Sequence, residues 1–185
     1  MDLTVSTAGS LLLTTSEASD FLGLDDAVVY GELGTLMQGV QDAAEAYTGR
    51  SFTARTIELK LDNAKEVIIL PRGPVISITS VETLDTSDSA TAVASSDYYL
   101  ADDERLIFTG SPSLERDYAG LKITYVAGAS SKVPQAVKTG LLKALATVFE
   151  HREDFVIGHT ANNLPDHSKA YFDTWRMHYA PGWAA

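Results

Sequence analysis

The chain has 185 residues, of which 45% are hydrophobic and 21% are charged, a balance that is ordinary for a soluble globular protein. It has no cysteine, which excludes disulfide bonds and thiolate chemistry, and no apolar run approaches the ~18 residues of a membrane span. The net charge of −11 is concentrated in residues 1–50 (eight acids, one base) and 82–118 (nine acids, two bases), so the surface should repel nucleic acid. The favoured interpretation of these acids is that they keep the protein soluble.

The N-terminal region predicts an extended segment followed by a short helix. The first ten residues have an extended or frayed pattern. The apolar run from Leu11 to Leu13 is too short for a signal-peptide core, so we expect synthesis in the cytoplasm. Thr14, with Glu17 three residues later, predicts a capped helix that ends near Gly23.

Residues 25–52 predict a long helix that leads into strands. Apolar residues recur with a spacing of three and four between Val29 and Tyr47, as on one face of a helix. Asp25 and Asp26 are suited to cap its N-terminus, and Gly49 is suited to the left-handed position after its C-terminus. The pattern then changes from period 3.6 to period 2, which predicts a sheet.

Three segments with strand patterns follow. Residues 56–61 and 75–84 alternate between apolar and polar positions, as in strands with one buried face. Residues 66–70 are a short apolar run, which predicts a strand buried on both sides and ended by Pro71. In the two alternating strands we expect these residues to be buried: Ile57, Leu59, Leu61, Ile76, Ile78 and Val81.

A predicted hairpin comes next. Residues 85–97 form a polar loop with a weak strand at 92–94. The strands 98–100 and 106–108 flank the acidic sequence Ala101-Asp-Asp-Glu-Arg105, a connection whose length suits a hairpin. After a second loop, residues 121–127 predict the final strand.

Two further helices are predicted after the strands. Pro134 suits the first turn of a helix, because the amide it lacks is not needed there. This helix should end near residues 152–154, and a last helix should run from Pro165 to about His178. The stripe expected to be buried on the first of them is Val137, Leu141, Leu145, Val148 and Phe149.

Together these elements predict an α+β fold. We expect a small helical bundle, with two long helices plus short N-terminal and C-terminal helices, and an inserted antiparallel β-sheet. The bundle should combine residues 14–50 and 131–180, and the inserted β subdomain should comprise 51–130. Residues 1–185 should then form a single domain.

The sequence offers little catalytic chemistry. It has no glycine-rich phosphate loop, no nucleophile elbow and no HExxH pair. His151, Asp154 and His159 are the best candidates for a divalent metal site, which would suit a small metal-dependent hydrolase. The alternative is that they are solvated charges, because a helix end followed by a loop does not place them on one face. We favour the alternative, and we expect no catalytic residue and no cofactor.

Aromatic residues cluster near the C-terminus. Tyr171, Trp175 and Tyr179 are four residues apart, so on a helix they would share one face, with Phe172 beside them. They either pack on the protein's own helices, which is the favoured interpretation, or anchor a partner chain. Trp183 lies beyond the predicted helix end and is the best candidate for a contact with another chain.

Three segments, in their order and spacing, resemble one known family. They are AEAYTGRSF at the end of the first long helix, ILPRGPVISITSV between two strands, and ITYVAGASSKVPQAVKTGLLKALATVFEHRED from the last strand into the second long helix. Over roughly residues 14–157 the chain resembles the head–tail connector (adaptor) proteins of long-tailed bacteriophages and gene transfer agents. The sequence from Gly158 onward departs from that pattern by being long and aromatic.

The resemblance implies a structural virion protein, not an enzyme. Such proteins form a dodecameric ring beneath the portal, extend the channel through which DNA passes without specific binding, and join head to tail. The implied partners are the portal protein, other copies of the chain, and a head-closure or tail protein on the distal side. The implied location is the head–tail interface of the virion, after assembly in the host cytoplasm. A head-closure or tail-terminator protein is the alternative of the same class.

Two sets of site residues follow from the resemblance as hypotheses. The C-terminal segment of such proteins docks into the portal, and an acidic channel wall would avoid sticking to DNA phosphates. The portal-binding candidates are Tyr171, Phe172, Trp175, Tyr179 and Trp183. The channel-facing candidates are Asp102, Asp103 and Glu104.

Overall fold

The computed structural model describes residues 2–7, 9–24, 30–110, 112–150 and 166–177. The described residues within 1–10 and 50–130 form one compact unit, here called the β unit, and those within 11–49 and 131–177 form a second, the helical unit. In these described segments, four α-helices and two antiparallel sheets confirm the predicted α+β class. No helix among them is long and apolar enough to cross a membrane.

The first helix of the helical unit, α1 (Thr15–Leu22), has both predicted end signals. The Thr14 hydroxyl accepts a hydrogen bond from the Glu17 amide at 3.2 Å, and the Glu17 carboxylate accepts one from the Thr14 amide at 2.8 Å. This reciprocal capping box satisfies two amides at the helix start. Gly23 then adopts a left-handed conformation with φ of 66°, which ends the helix.

The long helix α2 is described over Tyr30–Thr48. Gly49 follows it with φ of 70°, in the left-handed conformation that the sequence predicted. The two aspartates expected to cap its start, Asp25 and Asp26, lie outside the described residues. The apolar residues buried on its inner face are Leu33, Met37, Val40 and Ala44.

Helix α3 (Gln135–Glu150) packs against α1, α2 and the short last helix α4 (Asp166–Asp173). The residues buried along α3 are Val137, Gly140, Leu141, Ala144 and Leu145. Two members of the predicted stripe differ: Val148 is exposed and Phe149 is half-buried. Both lie in the last turn of α3, whereas the buried residues lie farther from its end.

The β unit consists of two antiparallel sheets, where the sequence predicted one. The strands of the large sheet, in spatial order, are β1 (Asp2–Val5), β2 (Arg55–Leu61), β8 (Leu121–Ala127), β4 (Val75–Leu84) and β5 (Ala90–Ala92). The strands of the small sheet, in spatial order, are β3 (Val67–Ile69), β7 (Arg105–Phe108) and β6 (Tyr98–Ala101). The predicted hairpin is confirmed as β6 and β7, and the extended N-terminus is edge strand β1.

The inner faces of the two sheets contribute to one hydrophobic core, so the β unit is a two-layer sandwich. Ile57, Ile123 and Tyr125 come from the large sheet, while Leu106 and Phe108 come from the small sheet. All five side chains are nearly or fully buried. The Tyr125 hydroxyl donates to the Pro71 carbonyl at 2.8 Å, which satisfies its polar atom inside the core.

The burial predicted for Ile76 is wrong, because β4 is not a regular strand. Its register against β8 shifts between Val75 and Ser77 and again between Ile78 and Ser80. Each bulge adds one residue to β4 and resets the alternation of side chains. The inward positions Val75, Ile78 and Val81 are therefore three residues apart, and Ile76 is left 51% exposed.

The short strand β3 is also less buried than its composition predicted. Ile68 faces the core, whereas Val67 is 45% exposed on the outer face of the small sheet. A sheet in a two-layer sandwich has one covered face, so an apolar run in it does not require burial on both sides.

Candidate partner-binding surfaces

The acidic hairpin turn has a defined backbone geometry. Its four residues run from Ala101 to Glu104, and the Glu104 amide donates to the Ala101 carbonyl at 3.2 Å. The central residues Asp102 and Asp103 have φ of 52° and 56°. Positive φ at both central positions is the requirement of a type I′ turn, and aspartate is one of the few residues other than glycine that tolerate it.

The backbone of this turn is bonded to the rest of the β unit. The Asp103 carbonyl accepts from the Val75 amide at 2.6 Å, and the Glu104 carbonyl accepts from the Leu70 amide at 2.7 Å. A Cβ at Gly73 would lie 3.2 Å from Glu104 Cγ, so glycine permits this close approach. The turn is therefore a packed part of the sandwich and not a free loop.

The side chains of the predicted channel residues have different environments. Glu104 forms an ion pair of 2.6 Å with Arg50, and both side chains are largely covered, at 33% and 16% exposure. Asp102 forms an exposed pair of 2.7 Å with Arg105 and keeps 69% of its side-chain surface accessible. Of these two carboxylates, Asp102 is the one that presents charge to solvent, while Glu104 has a structural partner.

The C-terminal aromatic segment is partly embedded in the helical unit. Phe172 is fully buried, and its ring approaches Gly140 so closely that an added Cβ there would lie 2.9 Å from Phe172 Cε1. Tyr171 is half-buried, and its hydroxyl accepts from Lys143 at 2.9 Å. Both residues therefore have intramolecular contacts, as the interpretation of self-packing predicted.

The last helix is shorter than the sequence predicted, because the chain turns to contact the end of α2. It ends at Asp173 rather than near His178, and Trp175 lies in the turn that follows. The Met177 amide donates to the Thr48 carbonyl at 2.8 Å, which satisfies an acceptor at the C-terminus of α2. The spacing of Tyr171 and Trp175 thus does not define one helical face.

Polar contacts of Tyr47 hold the same turn against α2. Its hydroxyl donates to Asp173 at 2.7 Å, and the Arg176 guanidinium lies 4.7 Å from the centre of its ring. The hydrogen bond to the Asp173 carboxylate raises the pKa of Tyr47, because ionisation would place two negative charges side by side. The segment from α4 through residue 177 is therefore bound to α2 of its own chain.

The remaining sequence candidates lie outside the described residues. These are Tyr179 and Trp183 of the portal-binding set and His151, Asp154 and His159 of the metal hypothesis. Among the residues that the structure describes, no group of three histidines and acids could hold a metal ion. A small apolar cavity beside Gln41 in the helical unit has a volume of about 10 Å³, no more than a single water requires.

The outer face of the small sheet carries an apolar stripe that the sequence analysis missed. Val67, Ile107 and Tyr99 lie directly opposite one another across its three strands. Val67 is 45% and Tyr99 55% exposed, and Ile107 is half-buried between them. The available signal was the alternation within the hairpin strands, which places Tyr99 and Ile107 on the face opposite to Leu106 and Phe108.

Three solved structures contain chains with the same architecture. One belongs to the virion of a native gene transfer agent particle, with TM-score 0.77, 24% identity and coverage of 98% of both chains. A second belongs to the neck of an empty particle computed with C6 symmetry, with TM-score 0.77, 21% identity and full coverage of both chains. A third belongs to the neck of a native particle computed with C12 symmetry, with TM-score 0.75, 23% identity and full coverage of both chains.

The chain has the fold of these particle proteins. The likeness covers both the β unit and the helical unit, because 98–100% of the chain is matched. No model of a known protein family and no curated protein sequence matched the chain. At 21–24% identity the likeness is one of fold, and the function is argued separately below.

Proposed function

We propose that this chain is a structural subunit of the neck of a phage-like particle. In this role, copies of the chain form a ring beneath the portal, extend the DNA channel and connect the head to the tail. The observation that carries the proposal is the match, over essentially the whole of both chains, to chains from the virion and neck of gene transfer agent particles.

A ring of twelve copies is the stoichiometry that we propose. The matched necks were computed with C12 symmetry in one case and C6 symmetry in the other. A ring with twelvefold symmetry also has sixfold symmetry, so one dodecamer is compatible with both. The subunits would assemble in the host cytoplasm and remain in the finished virion.

The charge of the chain suits a channel through which DNA passes without binding. The net charge is −11, and residues 82–118 alone carry nine acids and two bases. A negatively charged wall repels the phosphate backbone, so DNA that passes through the channel finds no favourable binding site on it. Within the turn, Asp102 is the most suitable wall residue, because 69% of its side-chain surface is accessible.

We propose that portal attachment depends on the aromatic residues Tyr179 and Trp183, with Trp175 and Tyr171 at most supporting it. Phe172 is fully buried, so its contacts are those of a core residue. Tyr171 is bonded to Lys143. Tryptophan and tyrosine supply much of the energy of many interfaces, which is the physical reason for this assignment.

The proposal is tested by the native mass of the purified chain, alone and after mixing with the portal protein of its own genome. We expect twelve copies to add to the portal ring. Failure to associate with the portal, together with binding to tail proteins, would instead indicate a head-closure or tail-terminator protein. A tightly bound metal in the purified chain, with an activity lost on its removal, would support the hydrolase hypothesis for His151, Asp154 and His159.

The portal-docking residues are tested by Trp183→Ala and by deletion of residues 181–185. We expect both variants to keep the fold and to bind the portal more weakly. Tyr118→Ala is the matched control, because Tyr118 is 75% exposed on a loop of the β unit. If the Trp183 variant binds the portal as the control does, the aromatic tail is not the anchor.

The channel hypothesis is tested by Asp102→Asn alone, because asparagine also tolerates the positive φ of 52° at this position and removes only the charge. Glu104→Lys would place a second cation beside Arg50, and Asp102→Lys would place one beside Arg105, so both would change folding as well as channel charge. We expect Asp102→Asn to leave the fold intact and to slow DNA passage. Unchanged infectivity of particles that carry this variant would place the turn away from the channel.

A further inference from the structure

Exposed apolar side chains lie on both outer faces of the sandwich, a stripe on one face and a single isoleucine on the other. On the small sheet, Val67, Ile107 and Tyr99 form the stripe described above, with exposures of 45% for Val67 and 55% for Tyr99. On the large sheet, the first bulge of β4 presents Ile76, which is 51% exposed. A contiguous exposed stripe such as the one on the small sheet is typical of a contact surface.

The Ile76 patch belongs to the face of the large sheet that points away from the core. Its neighbour Ser77 pairs with Val126, and the residues on either side of Val126, Tyr125 and Ala127, are fully buried. Because side chains alternate along a strand, Val126 and Ser77 are on the outer face. Ile76 occupies the extra position of the bulge beside them and is itself 51% exposed.

The stripe and the bulge therefore face in opposite directions. The inner faces of the two sheets share one core, and sheets packed in this way are ~10 Å apart. Side chains on the two outer faces cannot reach each other within one copy. A head-to-tail ring requires this arrangement, since each subunit contacts its two neighbours through two different surfaces on opposite sides.

We propose that the stripe of one copy packs against the Ile76 bulge of the next copy, so that this contact repeats around the ring. The proposal rests on the ring assembly of the proposed function and adds the surfaces that form it. The occupant of each patch is a second copy of the chain. If the chain had only one contact surface, a closed dimer would be favoured instead, in which that surface binds the same surface of a second copy.

The charges around the patches are compatible with this contact. The outer face of the large sheet carries two lysine–glutamate ion pairs and is locally balanced: Lys60 with Glu58, and Lys122 with Glu82. The charged residues near the stripe are also of both signs: Lys65, Glu66 and Asp97, together with the ion pair of Asp102 and Arg105. Neither surface carries a block of one charge that would repel the other.

Disulfide trapping tests the contact directly, because the chain has no cysteine of its own. Tyr99→Cys and Ile76→Cys are made as separate variants, mixed in equal amounts, assembled with the portal protein and oxidised. We expect a covalent dimer at least tenfold more abundant in the mixture than with either variant alone. A chain that carries both cysteines should form a ladder of covalent oligomers, since each copy can be joined to two neighbours.

The control for chance collisions is Tyr118→Cys mixed with Ile76→Cys, since Tyr118 is more exposed than Tyr99. The proposal is overturned if this control gives as much dimer as the Tyr99 mixture. It is also overturned if Tyr99→Cys alone gives the dimer, or if rings form without any crosslink. The native mass of the wild-type chain mixed with the portal distinguishes the two failures. If no ring forms, the proposed function fails as well; if a ring forms without the crosslink, only the proposed contact fails.

A charge-exchange pair provides a second test that does not depend on disulfide geometry. Tyr99→Glu and Ile76→Lys each place a charge in one of the two apolar patches. We expect each single variant to stay folded, by circular dichroism, and to lose ring assembly. The chain that carries both substitutions should regain at least part of the assembly, because the two charges then meet across each contact. Single variants that assemble like the wild type would overturn the proposal.

Discussion

The packing of α4 on α3 depends on the absence of a side chain at Gly140. A Cβ at this position would lie 2.9 Å from Phe172 Cε1 and 2.9 Å from Tyr171 Cβ. Carbon atoms pack favourably at about 3.5–4.0 Å, so Gly140→Ala forces α4 to move or Phe172 to leave its buried position. Because Tyr171 Cβ is attached directly to the backbone, rotation of one side chain cannot relieve both contacts.

The expected magnitude is a difference between two terms. Replacing a helical glycine by alanine stabilises the helix by about 0.5–1 kcal/mol, because the unfolded chain loses freedom. Overpacking a filled core costs about 1–3 kcal/mol. Gly39→Ala in α2 is the matched control, because no atom lies within 4 Å of its added Cβ. The stabilisation of the helix is the same in both variants. Their free energies of unfolding should therefore differ by about 1–3 kcal/mol, which is the cost of overpacking against α4.

Urea unfolding of the isolated chain, followed by circular dichroism, measures this difference. With a slope of about 2 kcal/mol per molar urea, Gly140→Ala should unfold about 0.5–1.5 M earlier than Gly39→Ala. Adding Phe172→Leu removes the ring atoms that the new Cβ meets, so the double variant should lose less than the sum of the single changes. A Gly140→Ala midpoint at or above that of Gly39→Ala would refute the account of how α4 is held.

Three further predictions concern the ion pair and the helix cap. Glu104→Gln should lower the free energy of unfolding by about 1 kcal/mol, because the largely covered ion pair with Arg50 is lost, whereas Asp102→Asn at the exposed pair should change it by less than ~0.5 kcal/mol. Equal urea midpoints for these two variants would contradict the distinction between them. Thr14→Ala should cost about 1 kcal/mol through loss of the N-cap, which the same titration measures. The hydrogen bond from the Thr14 amide lowers the pKa of Glu17, so the stabilising effect of its carboxylate is present above the unfolded pKa and is lost as pH falls through the lower folded pKa. The gap in urea midpoint between wild type and Glu17→Gln should therefore narrow as the pH falls below the ordinary glutamate pKa of 4.5, and a constant gap would show that the carboxylate contributes nothing.

The helix ends could be predicted from sequence, because their signals are local. Thr14 and Glu17 are three residues apart, and the side chain of each accepts a hydrogen bond from the backbone amide of the other. The pair can therefore be identified from sequence without any tertiary contact. Gly49 was predicted on the same basis, since the left-handed conformation after a helix favours glycine. Both signals depend on the chain within one turn of the helix end.

The strand interiors could be predicted only in part, because register depends on a partner that is distant in sequence. The alternation in β4 was correct in identifying a strand but wrong for Ile76, because bulges against β8 change which residues face the core. The same limit applies to the acidic turn. The sequence does not distinguish the roles of the three neighbouring acids. In the structure, however, Glu104 forms an ion pair with Arg50, which lies 54 residues away. Only the folded sandwich separates the structural carboxylate from the exposed one.

The C-terminal aromatic residues show why proximity in sequence does not make a shared surface. Phe172 is a core residue, and Tyr171 is bonded to Lys143. Met177, itself buried, caps the end of α2 through its amide. The segment up to residue 177 therefore stabilises the helical unit, whatever the residues after it bind. A truncation that removes Met177 would lose these contacts and lower stability, whereas one that begins after residue 177 would leave them in place.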